Sequence, residues 1–172
     1  MIEQASVYTD INPEDASSAS ERELVVSRIV GAPAALAFNA WIEPTQVEQW
    51  WGPPGCETHV HEMTVKPDGK ARLVMRGPDG FESATTLIYS SIEAAHSLTY
   101  MQSDGGDPDN DAATFGVAVR FEEDGLESTR ITMNMMFKTA AVRDRAASES
   151  ESGGGANGQL GRLDRFLAAF LP

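Results

Sequence analysis

Gln49-Trp50-Trp51-Gly52-Pro53-Pro54-Gly55 is the stretch at which the chain changes period. Ahead of it the apolar residues recur at helical spacing. Pro33 suits a first helical turn, Leu36, Ala37, Ala40 and Trp41 follow, and Pro44 opens a second short helix over Thr45 to Trp51. Gly52-Pro53-Pro54 stops that helix, because proline has no N–H to donate and its ring clashes with the turn before it. All three tryptophans, Trp41, Trp50 and Trp51, lie at this junction. An indole has a large apolar surface and one N–H in need of a partner, so such a cluster beside a Gly/Pro turn reads as a core hub or as a pocket mouth.

Beyond Cys56 the pattern alternates with period two. Phe115, Val117, Val119 and Phe121 stand against Gly116, Ala118 and Arg120, and Ile131, Met133, Met135 and Phe137 against Arg130, Thr132, Asn134 and Lys138. This is a sheet with one apolar and one wet face. Pro67-Asp68-Gly69, Pro78-Asp79-Gly80 and Asp124-Gly125 are turns, and Asp104-Gly105-Gly106-Asp107-Pro108 is a longer one, so the strands between them run antiparallel. Over Thr85 to Ile92 the pattern leaves two orientations open, with Leu87 and Tyr89 competing against Ile88 and Ile92 for the buried face. Upstream, the β-branched run Glu23 to Val30 reads as a first strand ended by Gly31-Ala32.

After the sheet, Thr139 can cap a short helix running to about Ser148. A closing amphipathic helix then carries Leu160, Leu163, Phe166, Leu167, Phe170 and Leu171 on one stripe, with Arg162, Asp164 and Arg165 facing away. Between the two, Ser152-Gly153-Gly154-Gly155-Ala156-Asn157-Gly158 predicts a local break, since each helix-interior glycine costs about 1 kcal/mol relative to alanine. The apolar stripe needs the apolar sheet face as its cover. The expected architecture is α+β: a curved six- to seven-stranded antiparallel sheet around a long C-terminal helix, with two short helices after the first strand. Met63, Met75, Met133 and Met135 would face that helix, as filler or as the walls of a deformable cavity.

The 172 residues, 41% of them hydrophobic, are enough for one domain with a sizeable core. We expect a flexible acidic tail over residues 1–21 and a single domain over 22–172. Against a formal net charge of −13, the 13 basic residues form no cluster, which argues against nucleic acid or an anionic membrane as partner. Cys56 is the single cysteine, so no intrachain disulfide forms, and neither a signal peptide nor a membrane-length apolar run is present. A cytoplasmic protein, monomer or homodimer, is expected.

His59 and His61 share one face of a strand near Cys56 and Glu62, but a metal site needs further ligands and His96 is distant in sequence. Asp107, Asp109 and Asp111 have the spacing of a calcium loop's first half without its glycine, and Ala118 stands where the closing Glu would be. There is no P-loop, no Gly-x-Ser-x-Gly elbow and no Cys/His pairing for nucleophilic catalysis. No metal, cofactor or catalytic residue is therefore assigned. Glu62, Arg76, Tyr89 and Tyr100 are the available titratable groups for a cavity; Glu62 should point away from it, whereas Arg76 and Tyr89 could orient the polar end of a bound molecule.

The element order resembles the helix-grip proteins of the START-related superfamily (SRPBCC), and within it the branch named after the activator of the ninety-kilodalton heat-shock chaperone ATPase. The resemblance is carried by Ile29-Val30-Gly31-Ala32-Pro33 into Ala40-Trp41, by Gln49-Trp50-Trp51-Gly52-Pro53, Glu62-Met63 and Met75-Arg76-Gly77-Pro78-Asp79-Gly80. It continues in Phe121-Glu122-Glu123, Thr129-Arg130-Ile131-Thr132 and Leu163-Asp164-Arg165, and covers about Arg22 to Pro172. It implies a cavity between sheet and last helix that in relatives takes up sterols, lipids, polyketides or other apolar small molecules. Gly155-Ala156-Asn157-Gly158 departs from the pattern, which has an aromatic residue and helix formers there, and loosens that rim of the cavity. The eponymous activator also has a separate partner-binding domain with no counterpart in this sequence.

The ligand-contacting residues expected on this basis are Trp41, Trp50, Trp51, Met75, Arg76, Tyr89, Tyr100, Phe115, Val117, Met133, Met135 and Leu163. The favoured function is a binding or carrier module for an apolar or amphipathic, lipid- or polyketide-like molecule. A cyclase- or hydratase-type enzyme using the same cavity is one alternative, and a stress-related, co-chaperone-like interaction module is the other.

Overall fold

The computed structural model describes residues 18–105 and 114–170, with Phe170 described in its backbone only. Most of the expected tail, the Asp107, Asp109 and Asp111 series, and the Phe170 and Leu171 side chains lie outside the described residues.

A one-turn helix, α1 (Ala19–Arg22), is closed at its start by a capping box in which Ser18 accepts from the Glu21 N–H and Glu21 returns the bond. It leads directly into β1 (Glu23–Val30). Two short helices follow, α2 (Ala34–Ile42) and α3 (Pro44–Trp50), the second entered on proline as expected. Six strands then run in succession: β2 (Glu57–Met63), β3 (Lys70–Arg76), β4 (Glu82–Glu93), β5 (Ser97–Asp104), β6 (Thr114–Glu123) and β7 (Thr129–Met136). The chain closes with α4 (Ala140–Glu151), capped by Thr139 through the Val142 N–H, and α5 (Gly155–Phe170).

The strands form one seven-stranded antiparallel sheet in the order β1-β7-β6-β5-β4-β3-β2. Each consecutive pair from β2 to β7 is a hairpin, and only β1 is brought from a distance, to pair with β7. The ambiguity over Thr85 to Ile92 is settled by the β4–β5 pairing: Leu87 and Tyr89 are buried and Ile88 is not. A bulge between Tyr89 and Ser91 then inserts one residue, which is why no single alternation fits the whole segment.

The inner face of the sheet is covered in two ways. Over one part, α2 and α3 deliver Phe38, Trp41 and Trp50, whose rings meet Phe121 and one another edge-on at centroid distances of 4.8–6.2 Å. Trp50 is fully buried, and its indole N–H donates to the Ala40 carbonyl at 2.9 Å, so its polar atom is satisfied inside the core. Over the other part lie α4 and α5, with Leu160, Leu163 and Leu167 buried beneath α5. Arg143 of α4 donates to the Glu23 carbonyl of β1 at 2.9 Å, which ties that helix to the sheet edge.

The glycine-rich segment is broken where expected, but more narrowly. The amide of Gly153 donates to the Ser150 carbonyl and that of Gly154 to the Glu149 carbonyl, with Gly153 at φ +90° and Gly155 at φ +52°. This is a left-handed helix end of the kind glycine favours. α5 then starts at Gly155 itself, so Gly158 sits inside a helix. The polar side of α5 also differs from the expectation that Arg162 and Asp164 face away. Asp164 pairs with Arg28 of β1 at 3.2 Å, and Arg162 reaches the turn after α3.

Candidate functional site

Between the inner sheet face, α4 and the start of α5 the side chains stop short of one another and leave a cavity of about 530 Å³. Pockets for small organic molecules run to about 300–1,000 Å³, so the volume suits one such ligand. The floor is the end of the sheet where β3, β6 and β7 present Met75, Phe115, Met133 and Met135, continued by Phe137 and by Leu24 of β1. These are inward positions of their strands, and Met133 and Met135 are one period-two step apart along β7. The roof is made of short side chains: Val142 and Ala146 on α4, then Gly154, Gly155, Ala156 and Gly158. Trp51, Gly52, Pro53 and Pro54 close one end.

A polar band crosses this apolar lining. Ser83, Thr85, Gln102 and Asp104 project from β4 and β5. One oxygen of the Asp104 carboxylate accepts both from the Thr85 hydroxyl, at 3.3 Å, and from the Gln102 amide, at 3.0 Å. Arg145 and Glu149 of α4 also line the space, and like Asp104 they are exposed, which places the charged groups at the mouth and the thioethers and rings inside. The lining suits a molecule with an apolar body and a polar feature.

The turn that closes the cavity is held from across it. The Arg162 guanidinium donates to the carbonyls of Trp51, Gly52 and Pro53, the last at 2.8 Å, while Thr58 donates to the Trp51 carbonyl at 2.6 Å. The guanidinium thereby sits against three carbonyls that no helix or strand uses, its Nη1 hydrogens shared among them. Burial lowers the Arg162 pKa below its ordinary range; nearby Cys56 acts in the opposite sense and Arg165 in the same one.

The structure separates the twelve candidate residues into groups. Trp51, Met75, Phe115, Met133 and Met135 line the cavity. Trp41, Trp50, Tyr89, Tyr100, Val117 and Leu163 do not; they are buried in the core around it. Arg76 is a correction to the expectation that it orients a ligand. Because Leu73 and Met75 face inward, alternation turns Arg76 outward, where its Nε and Nη2 donate to Glu82 at 3.0 and 2.6 Å on the exposed surface. His59 and His61 are exposed on β2, and among the described residues no group of three His, Cys, Asp or Glu could hold a metal ion.

Several lining residues escaped the sequence reading. Gln102 and Asp104 follow Tyr100 at period two, so fixing Tyr100 inward would have found them. Arg145 and Glu149 lie on a helix with no apolar stripe to orient it and could not have been placed that way.

Residues 31–168 match the family described as Activator of Hsp90 ATPase homolog 1-like protein. The chain belongs to this family. Solved structures share the fold of this Activator of Hsp90 ATPase homolog 1-like chain at low identity. A protein from Arthrobacter aurescens superposes with a TM-score of 0.78 at 21% identity, covering 91% of this chain and 92% of that one. One from Staphylococcus epidermidis gives 0.76 at 22%, covering 95% and 96%. Protein NE0264 from Nitrosomonas europaea gives 0.75 at 17%, covering 91% and 100%. No curated protein matches the chain. Membership and fold agree with the resemblance drawn from the sequence, and both are compatible with binding or carrying a small molecule. Among the described residues no helix is long and apolar enough to cross a membrane.

Proposed function

We propose that this protein binds or carries an apolar or amphipathic small molecule, lipid- or polyketide-like, in the cavity between the sheet and the C-terminal helices, and does so without transforming it. The observation that carries the reading is the lining: Met75, Phe115, Met133, Met135 and Phe137 inside, with Asp104, Arg145 and Glu149 at the mouth. Methionine side chains adapt to different shapes at low cost, which suits uptake of a flexible molecule. A cyclase or hydratase would need a titratable group held among apolar walls, with its pKa moved toward the working pH. The titratable residues lining this cavity stand instead at its exposed edge. We also propose a single domain over residues 22–172 working in the cytoplasm.

Native mass spectrometry of the protein purified from its own host tests this. A retained small molecule of apolar or amphipathic character, released on denaturation and recovered unchanged after prolonged incubation, is the expected result. A clean unliganded mass, with no rebinding from a panel of fatty acids, sterols and aromatic polyketides, would remove the carrier reading.

A further inference from the structure

Behind the cavity wall lies a pair of polar groups that the core leaves unsatisfied. Tyr89 and Tyr100 face each other across β4 and β5, with rings edge-on at a centroid distance of 6.2 Å and an interplanar angle of 74°. Their relative exposures are 1% and 0%, and neither hydroxyl finds a hydrogen-bond partner among the described residues. A buried polar group left unpaired costs about 1–3 kcal/mol, so two neighbouring ones are an expensive arrangement for a core that could hold phenylalanine.

Strand register places them next to the cavity. Leu24, Met135, Val117, Tyr100 and Tyr89 form one row across β1, β7, β6, β5 and β4, and the first two line the cavity. Gln102, two residues along β5 from Tyr100, and Met133, two residues along β7 from Met135, line it as well. The tyrosines therefore continue a row whose other end is already wall, with Val117 alone between Met135 and Tyr100, and Tyr100 adjoins the wall residue Gln102 along its own strand.

We propose that the Tyr89 and Tyr100 hydroxyls form an inner subsite of the cavity, which recognises a neutral hydrogen-bond acceptor, a ketone or ester carbonyl, at the leading end of an otherwise apolar ligand. The inference rests on the carrier reading and deepens it. A carbonyl oxygen has two lone pairs and can accept from both phenols at once. Burial pushes both hydroxyls well above the ordinary tyrosine range, and for Tyr100 the neighbouring Tyr89 and Asp104 push the same way, so both remain protonated donors. The field of Asp104 that reaches Tyr100 also disfavours an anionic group there.

Tryptophan fluorescence titration with a matched pair of probes, methyl nonyl ketone and undecane, tests the subsite in the full chain and in Tyr89→Phe, Tyr100→Phe and the double variant. These substitutions remove hydroxyls without partners and keep the ring volume, so thermal unfolding should show folded proteins at least as stable as the parent. The ketone-to-alkane affinity ratio is expected to be about tenfold higher in the parent than in the double variant, which would bury the carbonyl without a partner. A ketone-to-alkane affinity ratio that is the same in the parent and the double variant would overturn the subsite and leave the carrier reading standing. Failure of the parent to bind either probe would overturn both.

Discussion

Phe121 on the inner face of the sheet is covered by Phe38 and Trp41, whereas Met135, on the adjacent strand and the same face, borders open space. Both belong to the same alternating pattern, and both are inward residues of a half-buried sheet. They differ in what lies above them. Over Phe121 the covering helices supply two large rings in contact with it, Phe38 and Trp41, with Trp50 packed on Trp41, while the segments that roof the cavity supply Ala146, Gly154, Gly155, Ala156 and Gly158. A sheet face becomes core or cavity wall according to the bulk of the elements that cover it.

Removing bulk from the filled end should have the largest effect. Trp50→Ala deletes a fully buried indole and leaves the Ala40 carbonyl without its donor, and should cost about 4 kcal/mol in denaturant unfolding. A loss below about 1 kcal/mol would mean that this end is not tightly filled.

Adding a single methyl on the open side should also be costly at one position. A Cβ at Gly158 would stand 2.5 Å from the Gly153 carbonyl oxygen, a backbone atom that can move only by unwinding the start of α5. Gly158→Ala should therefore lose about 2–3 kcal/mol although alanine is the better helix former. A gain in stability would contradict the tight turn between α4 and α5.

Arg162→Ala tests how the two regions are joined. Its guanidinium holds the turn that carries Trp51, which packs on Trp41 and also lines the cavity, together with Pro53 and Pro54 of the cavity end. Loss of these bonds should cost about 2 kcal/mol and raise amide exchange at Gly52, Gly55 and Cys56 before the rest of the chain. Uniform exchange would show that the turn is held by its own geometry.

The tyrosine pair gives a smaller, pH-dependent effect. Both folded-state pKa values are raised, chiefly by burial, so the protonated form is favoured in the fold and stability is complete below the unfolded value of 10.0. Above it the unfolded chain loses protons that the folded chain keeps, and stability should fall by about 1.4 kcal/mol per pH unit for each tyrosine. Urea unfolding between pH 9 and 11 should show the onset of this loss, steepening above pH 10, and the Tyr89→Phe, Tyr100→Phe double variant should flatten it.

The same contrast explains what the sequence made legible. The order of elements, the inward faces of β6 and β7 and the helix stop at Gly52-Pro53-Pro54 follow from periods and proline chemistry, which are local properties. The candidate site was legible on its floor and, at the closed end, in Trp51. Phe115, Met133 and Met135 could be placed by alternation, but that Tyr100 and Val117 are covered while their neighbour Gln102 is not depends on helices distant in sequence. Arg76 was expected at the cavity as a hydrogen-bond donor, but the alternation set by inward Met75 turns it outward to Glu82. The glycines from 153 to 158 announced a break, yet their role as roof appears only when α5 is laid across the sheet.

The most direct test is to fill the open end without touching its floor. Ala156 lies in the roof, and Ala156→Leu places a branched side chain into the space above Met133 and Met135. Tryptophan fluorescence titration with an apolar probe, with Trp51 in the cavity wall as reporter, should give saturable binding to the parent. The filled variant should bind at least tenfold more weakly while its stability changes by less than about 1 kcal/mol. Equal binding by parent and filled variant would contradict the account, because the molecule would then sit somewhere other than this cavity.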